Sequence, residues 1–232
     1  MSHVPVTRKA LALMCLAAAA VMAAGCGSTP KPRRTYGNVI DYERMTDHYD
    51  PTVSLVYSSG THTLDEYHTL YIADFEAEKS DLVESYKDAR HRGLQLRYTI
   101  IDELRERDDT FRTITADDRY ASSQDPGVLV MKPKITIYRT GSGWKRYFFI
   151  PSGASDFQIE CRLVDAATGE TVMVLADRRR FLGNTPWGPN PDTFNDKFVM
   201  NLTLKETAVC LADFLTNAYH GLPGPRRASS EG

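Results

Sequence analysis

The amino-acid sequence predicts an α/β fold: a two-layer sandwich in which a mixed sheet of about five strands carries two long helices on one face. Three observations predict it. Leu82, Tyr86, Ala89, Gly93, Leu96, Ile100 and Leu104 recur every three or four residues, as do Leu204, Ala208, Leu211, Leu215 and Tyr219. Each set draws one apolar stripe along a helix. Between the two, Leu129, Met131, Ile135 and Ile137 alternate with Lys132, Lys134 and Thr136, and Phe157, Ile159, Cys161 and Leu163 alternate with Gln158, Glu160 and Arg162. That is the period of strands. A helix with a single apolar face must bury it against another layer, and one shared sheet does this for both.

Residues 39–220 make the domain. Its first part, 39–66, has apolar groups without sustained period and reads as an irregular arm with a short strand near Val53–Tyr57. LYIADF (70–75) reads as a buried strand. Asp81-Leu82-Val83-Glu84 has the spacing of a capping box and is expected to open the first helix, which ends near Arg107. Gly93 falls on the apolar stripe, where glycine costs roughly 1 kcal/mol against alanine. It is expected to let the helix approach the sheet closely.

Phe111–Thr115 is a short β-branched strand. Val128–Arg139 is a long one, in which Pro133 marks an edge or a bulge. After an excursion through GSGW (141–144), residues 153–166 form a strand with one wet face. Ala-Thr-Gly at 167–169 turns the chain tightly, with Gly169 at positive φ, and TVMVLADRRR (171–180) returns. A Pro/Gly-rich loop, 181–193, leads to the second helix, opened by Asp192 or Thr193. Residues 221–232 have the composition of a disordered tail.

The N-terminus is organised differently. Arg8 and Lys9 precede an apolar run, Ala10 to Ala24, and small residues follow up to Cys26. The run is shorter than the roughly 20 residues that span a bilayer, so 1–25 reads as a secretory signal. GSTPKPRRTYGN (27–38) is a Gly/Pro/Arg-rich tether. The whole chain has 28 basic and 30 acidic side chains in 232 residues; removing 1–25, with Arg8 and Lys9, leaves 26 against 30, a charge near −4. That balance lacks the basic excess of nucleic-acid binding.

Side chains that carry chemistry are scattered. His62, Asp65, Glu66 and His68 form the densest cluster, and Glu76, Glu78 and Asp81 another. Neither has a metal-ligand spacing, and a solvated strand approach and helix capping account for them. No catalytic set, metal or cofactor is expected. Cys161 and Cys210 are either a disulfide or two separate small core residues. Trp144, Arg146, Tyr147 and Phe148 interleave aromatics with cations. They suit either a partner surface or a hairpin tip folded back into the core. Trp187, in NTPWGPNP, is open to the same two readings.

Ala23-Ala24-Gly25-Cys26 resembles the lipobox of bacterial lipoproteins, with Ala23 where leucine is usual. The resemblance implies lipidation of Cys26, palmitate included, and cleavage before it. Gly27, rather than Asp, implies an outer-membrane location facing the periplasm. The arm with Tyr42 and Met45, the strand entry with Tyr67 and Leu70-Tyr71-Ile72, and the turn with Asp165 and Thr168-Gly169 resemble bacterial lipoprotein families described only as domains of unknown function. A weaker fold-level similarity runs to curli-secretion lipoproteins, to lipoprotein activators of peptidoglycan synthases and to the N-terminal domain of the Tol-system propeller protein.

The resemblance implies a non-catalytic envelope module. It would bind an envelope protein partner through loops 144–151 and 183–191 and an edge strand at 128–139, or assemble with itself through that edge. A hydrolase acting near His68 and Glu76 is the remote alternative.

Overall fold

The computed structural model describes residues 32, 45, 53–107, 110–143, 145, 153–181, 184, 185, 188, 189 and 195–221. The leader 1–25, the tether apart from residue 32, the arm residues 39–44 and 46–52, and the tail beyond 221 lie outside them.

In chain order the strands are β1 (Leu55–Ser58), β2 (Thr69–Ile72), β3 (Glu76–Ala77), β4 (Thr113–Thr115), β5 (Val128–Arg139), β6 (Ser155–Asp165), β7 (Thr171–Phe181), β8 (Asn184–Thr185) and β9 (Gly188–Pro189). The helices are α1 (Tyr86–Arg105) and α2 (Asp196–Tyr219). Seven strands form one mixed sheet in the order β1-β7-β6-β5-β2-β4, with β3 also on β5, while β8 and β9 pair separately. β2 and β3 run parallel to β5, and β4 runs parallel to β2. β6, β7 and β1 continue antiparallel. Beyond the expected five, β1 matches the short strand read near Val53–Tyr57, and β3, two residues long, is too short to declare an alternation.

Both helices cover one face, giving the expected two-layer sandwich. Leu96, Ile100 and Leu104 of α1 and Ala208, Leu211 and Leu215 of α2 bury their stripe against Leu129, Met131, Ile135, Phe157, Ile159, Leu163 and Leu175. Each fully buried leucine or isoleucine contributes roughly 2 kcal/mol. Arg92 bonds Asn201, and Arg107 bonds Asp213, so the two helices run parallel.

β5 is interior, not an edge. Its Met131 and Ile135 carbonyls accept from Ala73 and Glu78 on the β2–β3 side. By the two-residue period Pro133 also faces that side, where β2 has ended at Ile72 and β3 has not begun. The missing N–H therefore falls in a break of the ladder. Pro133 itself keeps regular register with Cys161; the bulge comes later, where register shifts between Ile135 and Ile137 and brings Tyr138, not Ile137, into the helix-side core.

α1 starts four residues after the expected cap. Tyr138 N donates to Leu82 O and Glu84 N to Tyr138 O, so 82–84 extends the sheet instead of beginning a helix. Ser85 caps α1 by accepting from Asp88 N, and Asn195 caps α2 by accepting from Lys197 N and Phe198 N.

The second sheet face is largely covered, although Lys132 stays exposed. Gln158 and Glu160 have no exposure at all. Met45 of the arm is buried there against Val174 and Ala176, so the arm supplies cover that the alternation in β6 does not disclose.

Cys161 and Cys210 are two thiols with no disulfide between them. Cys161 is fully buried on the sheet opposite Leu175 of β7, whereas Cys210 is half-buried on α2. Burial pushes the Cys161 thiol well above its ordinary value.

Gly93 does what its place in the stripe predicts. A Cβ there would stand 2.5 Å from Phe75 Cβ. Gly93→Ala is expected to lower stability by about 1–3 kcal/mol through overpacking, despite alanine's better helix propensity. A lower denaturant midpoint at unchanged slope checks it. Arg97, 5% exposed, donates to Ile72 O at 2.7 Å and Ala116 O at 2.9 Å. Arg97→Met leaves both carbonyls unpaired and is expected to cost about 3 kcal/mol, read from the same unfolding curves.

Candidate functional site

The sheet has two ends of different character. At one end lie the start of β5, the close of β6 and the β6–β7 turn. Asp165, 4% exposed, organises it. Its Oδ1 accepts from Thr168 N at 2.7 Å and Thr168 Oγ1 at 3.0 Å, and its Oδ2 accepts from Tyr67 O–H at 3.1 Å. Gly169 takes the expected positive φ of 75°. Burial raises the Asp165 carboxyl, but the Thr168 amide and hydroxyl and the Tyr67 hydroxyl outweigh it, and the group ends below the usual range. Burial first, then the Asp165 charge, raises the Tyr67 phenol. The acceptor capacity of Asp165 is spent on fixing the turn, which is structural work rather than proton transfer.

The cluster predicted around His62 divides. His62 Nδ1 meets Glu66 at 2.9 Å and Nε2 lies 3.9 Å from Glu170, clasping the Leu64–Glu66 3-10 turn to the β6–β7 turn. His68 instead lies 3.0 Å from Thr69 Oγ1 and 3.7 Å from Asp125, against Gly127, where a Cβ would fall 2.2 Å from its Nε2. Glu76 is exposed, beyond the far end of β2. On β5 Thr69 stands opposite Val128 and Glu76 opposite Lys134, six residues or about 20 Å apart, so the pair expected of a hydrolase is not assembled. Glu78 lies 3.9 Å from Lys134. Among the described residues no three His, Cys, Asp or Glu side chains gather as a metal site.

The other end carries the long connections out of β5 and β7. β5 closes at Arg139, β6 opens at Ser155, and Ser155 lies opposite Phe181, the last residue of β7. The chain between β5 and β6 is stapled at its base: Ser142 N donates to Gly153 O at 3.0 Å. Gly141 has φ 73°, and a Cβ there would stand 2.3 Å from that same oxygen. The two segments expected to bind a partner, 144–151 and 183–191, are thus rooted side by side. Trp144, Arg146, Tyr147, Phe148 and Trp187, like Cys26, lie outside the described residues; β8 and β9 flank Trp187 in sequence.

Beside these roots, the N-terminal turns of the parallel helices frame a groove of about 560 Å³. Asp88, His91, Arg92 and Gln95 line it from α1, Asp196, Lys197, Met200 and Asn201 from α2, and Tyr138 and Thr140 from β5. Arg92 is held at 2.7 Å from Gln95 and 2.6 Å from Asn201. Sequence reasoning missed this groove, because no helix pattern reveals that two helices 100 residues apart start at the same height. The Arg97 hub was missed too, since Arg97 has the look of any helix-surface cation; the turn at Asp165 and Thr168-Gly169 was legible, but not its bond to Tyr67.

No family model matches the chain, and no curated protein matches it. Solved structures resemble it at low identity. A PelC dodecamer subunit from Paraburkholderia phytofirmans aligns at 14% identity and TM-score 0.40, over 67% of this chain and 95% of that one. The hypothetical protein CT253 from Chlamydia trachomatis aligns at 11% and 0.37, over 64% and 98%. A candidate lipoprotein from Caulobacter crescentus aligns at 14% and 0.31, over 71% and 96%. Among the described residues no helix is long and apolar enough to cross a membrane.

The His62 clasp sets a pH dependence. The hydrogen bond to Glu66 raises the His62 imidazole above 6.5, and the same contact lowers Glu66 below 4.5. The histidine contribution is complete below pH 6.5 and fades as pH rises through the raised value. The glutamate contribution is complete above pH 4.5 and fades as pH falls through the lowered one. The clasp is therefore strongest between the two. The melting temperature of wild type is expected to exceed that of His62→Gln at pH 5.5, with the gap closing by pH 8.

Proposed function

We propose that the chain is a lipid-anchored, non-catalytic module of the cell envelope, attached through Cys26 to the outer membrane and facing the periplasm. Its α/β domain binds or positions an envelope protein through the end of the sheet where segments 144–151 and 183–191 are rooted. The observation that supports this reading is the register Ser155↔Phe181, which roots two aromatic, proline-bearing segments at the same end of the sheet. Tryptophan, tyrosine and arginine gathered in one place are the side chains that dominate partner-binding energy.

The anchor rests on the small-residue run before Cys26. One acyl chain holds a protein marginally and two or more hold it stably, so a diacylated cysteine suffices to anchor the domain. The 18 residues from Gly27 to Arg44 precede Met45, which sits on the sheet. Fully extended, such a length reaches about 60 Å, enough for the domain to meet partners well clear of the bilayer.

Cys26→Ser is expected to move the chain from the membrane to the soluble fraction and to abolish palmitate labelling. Crosslinking in intact envelopes is expected to capture a partner with wild type and to lose it with Trp144→Ala/Trp187→Ala at unchanged membrane attachment. Capture that survives the double substitution would sink the assignment of that end.

A further inference from the structure

Among the described residues the exposed large apolar side chains are Tyr86, Leu94, Tyr98 and Phe198, and the first three stand on α1. Their spacing is regular. With Arg90 and Asp102, also exposed, they form the row Tyr86, Arg90, Leu94, Tyr98, Asp102, one residue every four. Such a row is a ridge of the kind that seats in the groove of another helix. The faces of α1 used within the fold lie elsewhere: Ala89, Gly93, Leu96, Ile100 and Leu104 turn to the sheet. Helix formation does not ask for these residues either, since lysine, glutamate or glutamine serve an exposed position as well as leucine and better than tyrosine. Single exposed apolar groups are ordinary; three on one ridge are not scattered.

We propose that this ridge is a self-association surface, on which α1 of a second copy of the chain packs antiparallel across a two-fold axis. The charges choose the occupant and the register. With the axis between Leu94 and Tyr98, Leu94 of each copy meets Tyr98 of the other, and Arg90 of each copy meets Asp102 of the other. Two apolar contacts and two ion pairs form from one self-complementary row, as a two-fold interface demands. Parallel packing sets Arg90 against Arg90. An axis on Leu94 itself leaves Arg90 facing tyrosine and Asp102 facing Tyr86. Neither Arg90 nor Asp102 is engaged in an ion pair among the described residues, so both are available.

The ridge runs about 24 Å along the helix, and burying it from both sides gives an interface on the order of 1,000 Å², at the lower limit of specific association. The dimer is accordingly weak in free solution, and confinement to a surface strengthens it through effective concentration. This route to assembly is independent of the strand edge expected from the sequence, which the interior position of β5 removes.

The test is sedimentation equilibrium of the full chain carrying Cys26→Ser, so that failure of the anchor reading leaves the result intact. The expected result is a reversible dimer. Arg90→Asp or Asp102→Arg alone should weaken it about ten-fold or more, and the double swap should bring it back to within about three-fold of the parent. Leu94→Asp should leave monomer, with circular dichroism and melting unchanged because the site is exposed. A chain that is monomeric up to about 200 μM overturns the proposal. So does a dimer that the single swaps leave unmoved, or one that the double swap fails to restore, since only a surface facing a copy of itself is repaired by exchanging its own charges.

Discussion

The Arg97 guanidinium is the contact on which the helix-on-sheet arrangement turns. It is buried, yet it belongs to a helix whose neighbouring row is exposed, and it spends its donors on three different segments. Ile72 O closes β2, Ala116 O follows β4, and Asp74 stands in the break between β2 and β3. These are the places where the parallel ladder ends and leaves carbonyls without strand partners. A charged donor in the interior is costly unless fully satisfied, and here the strand ends satisfy it while it satisfies them. Gly93, one turn earlier, removes the side chain that would hold α1 off Phe75, so the guanidinium can reach the sheet.

With α1 pinned, the rest of the layer follows. Arg107 at its far end bonds Glu103, Asp213 and the Val209 carbonyl. Arg92 bonds Asn201 near its start. Those two contacts set α2 parallel to α1 and bring both helix N-termini to the end of the sheet where β5, β6 and β7 exchange chain. One end of the molecule thereby becomes rigid and closed, held by Asp165 and the His62 clasp. The other collects two long connections and a polar groove. A buried ion pair finishes the β7 edge: Asp177, raised by burial and partly restored by Arg179, holds Ser54 and so the entry of β1.

The β4 edge of the sheet is guarded against strand addition. β4 is three residues long, and Arg105 donates to the Ile114 carbonyl at 2.8 Å, occupying the acceptor that faces outward. Short edges and cationic cover are the usual defences against strand addition. The helix layer has no such defence along the Tyr86–Asp102 row, so the apolar surface that remains open is a ridge and not an edge.

Periodicity by itself determined the two helices, the three long strands, the turn at Gly169 and the role of Gly93, because burial of one face writes a period of 3.6 or 2 into the residues that face it. The composition around Cys26 and the charge balance are likewise local properties, legible without a fold. Tertiary structure alone decided that β5 is central, that the second sheet face is largely covered, that Cys161 and Cys210 form no disulfide, and that Val83 serves the sheet and not the helix. Each of these depends on what lies beside a residue across space. A proline facing a ladder break and a proline on an edge carry the same sequence, as do a glutamate facing water and one facing an arm from 100 residues away. Alternation reports which side chains share a face; only the packed neighbours determine what that face meets.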